Sequence, residues 1–106
     1  MIDIEEIRKN PGKQNWYKIS WNQTLSEEFI REFQDFVDWE LICSKQVLSE
    51  KFIREFQDKV NWENISYSQK LSKEFIAKFY NKIYFQYLFR NENISNEIKN
   101  FCKIFL

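Results

Sequence analysis

A large aromatic recurs every 23 residues along this chain, at Trp16, Trp39 and Trp62, with Phe85 in the next place. Counting each unit from that aromatic, position 4 is Ile19, Ile42, Ile65 and Leu88, position 8 is Gln23, Gln46, Gln69 and Glu92, and position 10 is Leu25, Leu48, Leu71 and Ile94. Position 11 is serine in all copies (Ser26, Ser49, Ser72, Ser95). Apolar character persists at position 14 (Phe29, Phe52, Phe75, Ile98), position 18 (Phe33, Phe56, Phe79, Cys102) and position 22 (Val37, Val60, Ile83, Leu106). Such a period marks stacked repeats, in which no unit buries its own apolar face and each neighbour completes the core. The chain therefore divides, within one domain spanning 1–106, into an N-terminal cap (1–15), repeats 16–38, 39–61 and 62–84, and a degenerate repeat 85–106.

Within a unit, Phe29, Ile30, Phe33 and Val37 form one stripe at helical spacing. Serine at position 11 is a good N-cap, and the flanking apolar pairs Leu25/Ile30, Leu48/Ile53 and Leu71/Ile76 stand where a hydrophobic staple would. The first half repeats the logic: Asn15, Asp38 and Asn61 precede the aromatic as caps, and Val37 or Val60 staples to Ile42 or Ile65. The only Gly and the only Pro are the adjacent Pro11 and Gly12, a deficit that disfavours tight hairpins. The predicted fold is all-α: a short solenoid of four 23-residue helix pairs, each a helix of about two turns followed by one of about three, with residues 2–10 as an N-terminal capping helix. The competing reading, a leucine-rich-type repeat, makes Val37, Trp39 and Leu41 a short strand.

The pattern W-x-x-I-S-x-x-Q-x-L-S-x-x-F-I-x-x-F-x-D-x-V, as it stands in WYKISWNQTLSEEFIREFQDFVD, WELICSKQVLSEKFIREFQDKVN and WENISYSQKLSKEFIAKFYNKIY, resembles tandem repeats of proteins of tailed phages and giant DNA viruses. The likeness covers residues 16–84 well and 85–106 weakly. Departures are Cys43 for Ser, Phe85 for Trp, Tyr84 for the cap, and the apolar C-terminal stretch. The family carries no general activity, so no site residues come with it. What the resemblance implies is a viral gene product in the host cytoplasm. Its target would be a host protein or ribonucleoprotein, and blockade of a defence nuclease complex, as anti-CRISPR proteins do, is one such role.

The chain has no His, which removes the commonest general base and zinc ligand. Cys43 and Cys102 follow no metal spacing and read as buried thiols of a reducing compartment. Glu28, Glu32 and Asp35 sit among basic neighbours at helical spacing and read as a solvated face. The expectation is a non-enzyme with no catalytic, cofactor-binding or metal-binding residues. The acidic N-terminal stretch MIDIEEIRKN has no apolar core of a signal peptide, and no run reaches membrane-spanning length, so an intracellular protein without membrane contact is expected.

Net charge is zero, yet residues 1–65 carry 9 basic and 13 acidic groups and residues 66–106 carry 7 and 3. Aromatics also stand where the repeat does not demand them, at Tyr17, Trp21, Phe36, Tyr67, Tyr87 and Phe89. Tyr17, Trp21, Tyr67, Tyr87 and Phe89 are the candidate partner-binding anchors. The apolar end, Phe101, Ile104, Phe105 and Leu106, is a candidate homodimer interface, because a terminal repeat normally turns a polar face outward. The function expected is non-catalytic protein binding by steric blockade. One alternative is a nucleic-acid-binding or nucleic-acid-mimicking module using Lys70, Lys73, Lys78, Lys82, Arg90, Lys99 and Lys103. The other is a structural, self-assembling viral protein.

Overall fold

The computed structural model describes residues 3–22 and 24–106; the expected start of the capping helix at Ile2 and the position-8 residue Gln23 lie outside them. Every regular element among the described residues is helical. Helix α1 (Ile4–Lys9) and a 3₁₀ turn (Pro11–Lys13) precede the pairs α2 (Trp16–Asn22) and α3 (Glu27–Glu32), α4 (Trp39–Lys45) and α5 (Glu50–Glu55), and α6 (Trp62–Ser68) and α7 (Lys73–Lys78). A last pair, α8 (Phe85–Leu88) and α9 (Asn96–Cys102), ends in a 3₁₀ turn, Lys103–Phe105. Val37 sits in the bend before the Asp38 cap, and Trp39 and Leu41 lie in α4, which excludes the strand alternative.

The first helices α2, α4, α6 and α8 stack in one row, and α7 stacks on α9 in the other. The result is a rod of 49 × 21 × 16 Å with a radius of gyration of 15.2 Å, against about 13 Å for a compact domain of this size. Local signals set each helix. Ser26, Ser49, Ser72 and Ser95 accept through their hydroxyls from Phe29, Phe52, Phe75 and Ile98. Asn15, Asp38 and Asn61 cap the first row in the same way, whereas Tyr84 offers no side-chain cap and α8 is a single turn. Ile30, Ile53 and Ile76 at the staple positions are wholly buried.

The second helix of each unit is shorter than the three turns expected. Each of α3, α5 and α7 ends after six residues, and in the first two repeats side chains take up carbonyls at that end. Gln34 and Gln57 amides donate to the carbonyls of Arg31 and Arg54, and the indoles of Trp39 and Trp62 donate to the carbonyls of Gln34 and Gln57 at 3.0 and 2.9 Å. Each tryptophan is thus half-buried, stacked over the phenylalanines of its own unit, and pinned to the end of the preceding one.

Buried amides join the units. Gln69 accepts from the Leu48 amide at 3.0 Å and donates to the carbonyls of Cys43 and Gln46 at 2.8 and 2.7 Å. Gln46 does the same one unit earlier, toward Leu25 and the Ser20 carbonyl. In the last unit this role falls not to Glu92, which is exposed, but to Asn91, whose amide donates to the carbonyls of Ser66 and Gln69 at 2.9 and 2.8 Å. The early end of α8 moves the ladder by one residue. A second rung runs from position 5: the Ser20 and Ser66 hydroxyls and the Cys43 sulfur accept from the backbone amides of Asp38, Tyr84 and Asn61.

Helix α1 occupies the place of a second helix in register. Asp3 stands where the serines cap, Ile7 is buried like Ile30, and the Pro11 carbonyl accepts from the Trp16 indole at 2.7 Å as Gln34 does for Trp39. Glu6 and Asn10 stand where later units carry their two phenylalanines, so this helix is polar at those places. At the other end, Leu106 at core position 22 is 77% exposed, unlike Val37, Val60 and Ile83.

Candidate interaction face

The two rows differ in chemistry. The second row is laced to itself by ion pairs between units: Arg8–Glu32 at 2.7 Å, Arg31–Glu55 at 2.8 Å, Asp35–Lys59 at 2.9 Å and Lys73–Glu97 at 2.7 Å. Glu27 and Glu50 reach across to accept from both the amide and the hydroxyl of Ser49 and Ser72. Hydrogen bonds from Arg8, Arg31 and Lys73 hold the carboxyls of Glu32, Glu55 and Glu97 below their ordinary 4.5. Pairs this exposed contribute little singly, and their regular spacing makes them a register device.

The first row presents residues 2, 3 and 6 of each unit to solvent, and here the extra aromatics gather. Tyr17 and Trp21 stack with ring centroids 6.3 Å apart, and the Lys45 ammonium lies 4.2 Å from the Trp21 ring centre. That is within the range of a cation–π contact. Two units on, Tyr67 meets Tyr87 edge-on at 6.5 Å, and Tyr84 lies 6.1 Å from Tyr87. A cleft of about 220 Å³ is lined there by Glu63, Asn64, Tyr67, Tyr87 and Arg90, and one of about 310 Å³ by Ser44, Tyr67, Ser68, Arg90, Glu92 and Asn93. Tyr17, Trp21 and Tyr67 are 62%, 46% and 51% exposed.

Of the five candidate anchors, four share this row surface, Tyr87 half-buried among them; Phe89 does not. It takes position 5, where Ser20, Cys43 and Ser66 sit, and packs on the core. Phe36 stacks on Trp16 at 5.7 Å. Of the four apolar C-terminal candidates, Phe105 stacks on Tyr80 and Phe85 and meets Phe101 edge-on, so only Ile104 and Leu106 stand out in solvent, 70% and 77% exposed. Beside them is a larger open depression of about 540 Å³, lined by Trp62, Ile83, Tyr84, Phe85 and Leu106 among others. Lys45, Glu63 and Tyr84 were not among the candidate anchors, and Arg90 was singled out only for the nucleic-acid alternative. Nothing local marks them, because their place follows from the stacking of adjacent first helices.

Lys73, Lys78, Lys82, Lys99 and Lys103 belong to α7, α9 and the turns that follow, away from the exposed aromatics of the first row. That row carries Lys18, Lys45 and Arg90 against Glu40, Glu63 and Glu92, all exposed, and so forms no basic stripe. Both thiols are buried and unpaired, and burial pushes Cys43 from its ordinary 9.0 up to about 12. Among the described residues no group of three or more His, Cys, Asp or Glu is placed to hold a metal ion, and no helix is long and apolar enough to cross a membrane. No family model, no curated protein and no solved structure matches this chain.

Proposed function

We propose that this chain is a non-catalytic protein-binding module whose working surface is the exposed side of the first-helix row. One observation carries the reading. At positions 3 and 6 every copy differs (Lys18, Leu41, Asn64, Tyr87; Trp21, Ser44, Tyr67, Arg90), while the ladder and core positions repeat. The repeat holds the scaffold constant and leaves this side to be set residue by residue, with large aromatics where hot-spot residues are found. In the finer form suggested by the resemblance to viral repeats, the partner is a host protein or ribonucleoprotein of a defence complex, occluded by a rigid rod in the host cytoplasm.

The test is capture from host lysate by the immobilised chain. Trp21→Ala combined with Tyr67→Ala is expected to abolish retention of the captured species, and Lys59→Ala on the other row to leave it intact. Equal retention by all three sinks the proposal. The rival reading, nucleic-acid binding, draws on Arg90, whose guanidinium has no hydrogen bond or ion pair among the described residues and which lines a cleft with Tyr67 and Tyr87. Retention that falls steeply with salt and vanishes after nuclease treatment would favour that rival.

A further inference from the structure

We infer that the first-helix row is self-complementary and takes a second copy of this chain, antiparallel, about a two-fold axis passing through α4. The inference rests on the reading of this row as a protein-binding surface and names its first occupant. Turning one row over another about α4 lays α2 on the partner's α6. Lys18 then faces the partner's Glu63, and Trp21, steadied by Lys45, faces the partner's Tyr67. On the axis stands Ser44, the smallest of the four residues at position 6, where two helices must approach most closely. The symmetry makes the Lys18–Glu63 pair twice, as a closed isologous contact requires. Contact through the C-terminal units would instead oppose like charges, since residues 66–106 carry 7 basic against 3 acidic groups. The whole face of the rod is on the order of 800–1,000 Å² in outline, so a contact over α2, α4 and α6 falls below the ~800 Å² per partner of a standard interface and is of the weaker, reversible kind.

The experiment is sedimentation equilibrium of the purified full chain up to ~100 μM, in low and high salt. The expected result is twice the chain mass. Lys18→Glu and Glu63→Lys should each weaken association by about tenfold, and the double exchange should recover most of that loss. Trp21→Ala should weaken it further. All these side chains lie on the surface, so far-ultraviolet circular dichroism should be unchanged. A monomer throughout overturns the inference, as does a dimer lost on Leu106→Asp but indifferent to the charge exchange. A monomer that still captures a lysate protein through Trp21 and Tyr67 rejects the homodimer and keeps the protein-binding reading. A dimer that captures nothing keeps the homodimer and rejects the host partner.

Discussion

Replacing Gln69 with alanine should be among the most destabilising single changes available outside the aromatic core. The side chain is 4% exposed and serves three backbone groups of the preceding unit: the Leu48 amide at 3.0 Å and the carbonyls of Cys43 and Gln46 at 2.8 and 2.7 Å. Truncation leaves all three without this partner in an interior with little water. Each buried group so stranded costs about 1–3 kcal/mol. Allowing for a water in the space vacated and for the spare lone pairs of the carbonyls, the loss is about 3–6 kcal/mol. A domain of this size has about 5–15 kcal/mol in all. Urea unfolding followed by tryptophan fluorescence reads the change as a shift in midpoint, and hydrogen exchange should show amides near Leu48 losing protection first. The decisive control lies in the last unit. Counting by 23 residues makes Glu92 the counterpart of Gln69, whereas hydrogen bonding makes it Asn91. Asn91→Ala should cost about 2–4 kcal/mol and Glu92→Ala less than about 0.5 kcal/mol. A Gln69→Ala loss under ~1 kcal/mol, or equal losses at Asn91 and Glu92, would refute the reasoning.

Two further outcomes follow from the rungs and the ion pairs. Cys43→Ser should be tolerated within about 1 kcal/mol, because the Ser20 and Ser66 hydroxyls accept the same amide at 3.1 and 3.0 Å where Cys43 sulfur accepts it at 3.4 Å; the native thiol should resist alkylation until urea unfolds the chain, and a fast-reacting native Cys43 would contradict its burial. Glu32, Glu55 and Glu97 bind protons less readily folded than unfolded, so their stabilisation is complete above their ordinary 4.5 and is lost as pH falls through their lower folded values. Urea midpoints measured from pH 6 down to pH 3 should therefore decline, and decline less in Glu32→Gln/Glu55→Gln; an identical slope would remove these pairs from the account.

The period, the caps and the staples were legible in the sequence because each is a local event: serine at position 11, Asn or Asp before the aromatic, a staple five residues apart. The work of position 8 was not. Glutamine reads as a surface residue, and its burial depends on carbonyls that a neighbouring helix end leaves unpaired. The register slip at Asn91 is hidden for the same reason, since a 23-residue count cannot know that α8 stops at Leu88. Helix lengths were overestimated because the apolar stripe runs on past the helix end into the turn, as Val37 does beyond Glu32 and Ile83 beyond Lys78. Exposed Tyr17, Trp21 and Tyr67 could be picked out as departures from the repeat. Phe89 looked the same but fills a place that the repeat gives to small buried residues, where the degenerate last unit has space for an aromatic ring.

This division of labour bears on what the chain can do. Stacking is secured from within by the amide ladder and along the second row by ion pairs, with the Glu50–Ser72 hydrogen bonds in their place between repeats 39–61 and 62–84. The exposed side of the first row contributes to stacking only locally, through the Asn64 amide on the Glu40 carbonyl, Lys45 over Trp21, and Tyr67 against Tyr87. Substitution there costs little folding energy, so a large aromatic in one copy and a serine in the next is structurally permitted. Permission alone would leave this side polar, as solvent exposure favours. Trp21 and Tyr67, about half-exposed two units apart, go against that preference, and that departure is the ground for proposing that this surface buries them against a partner.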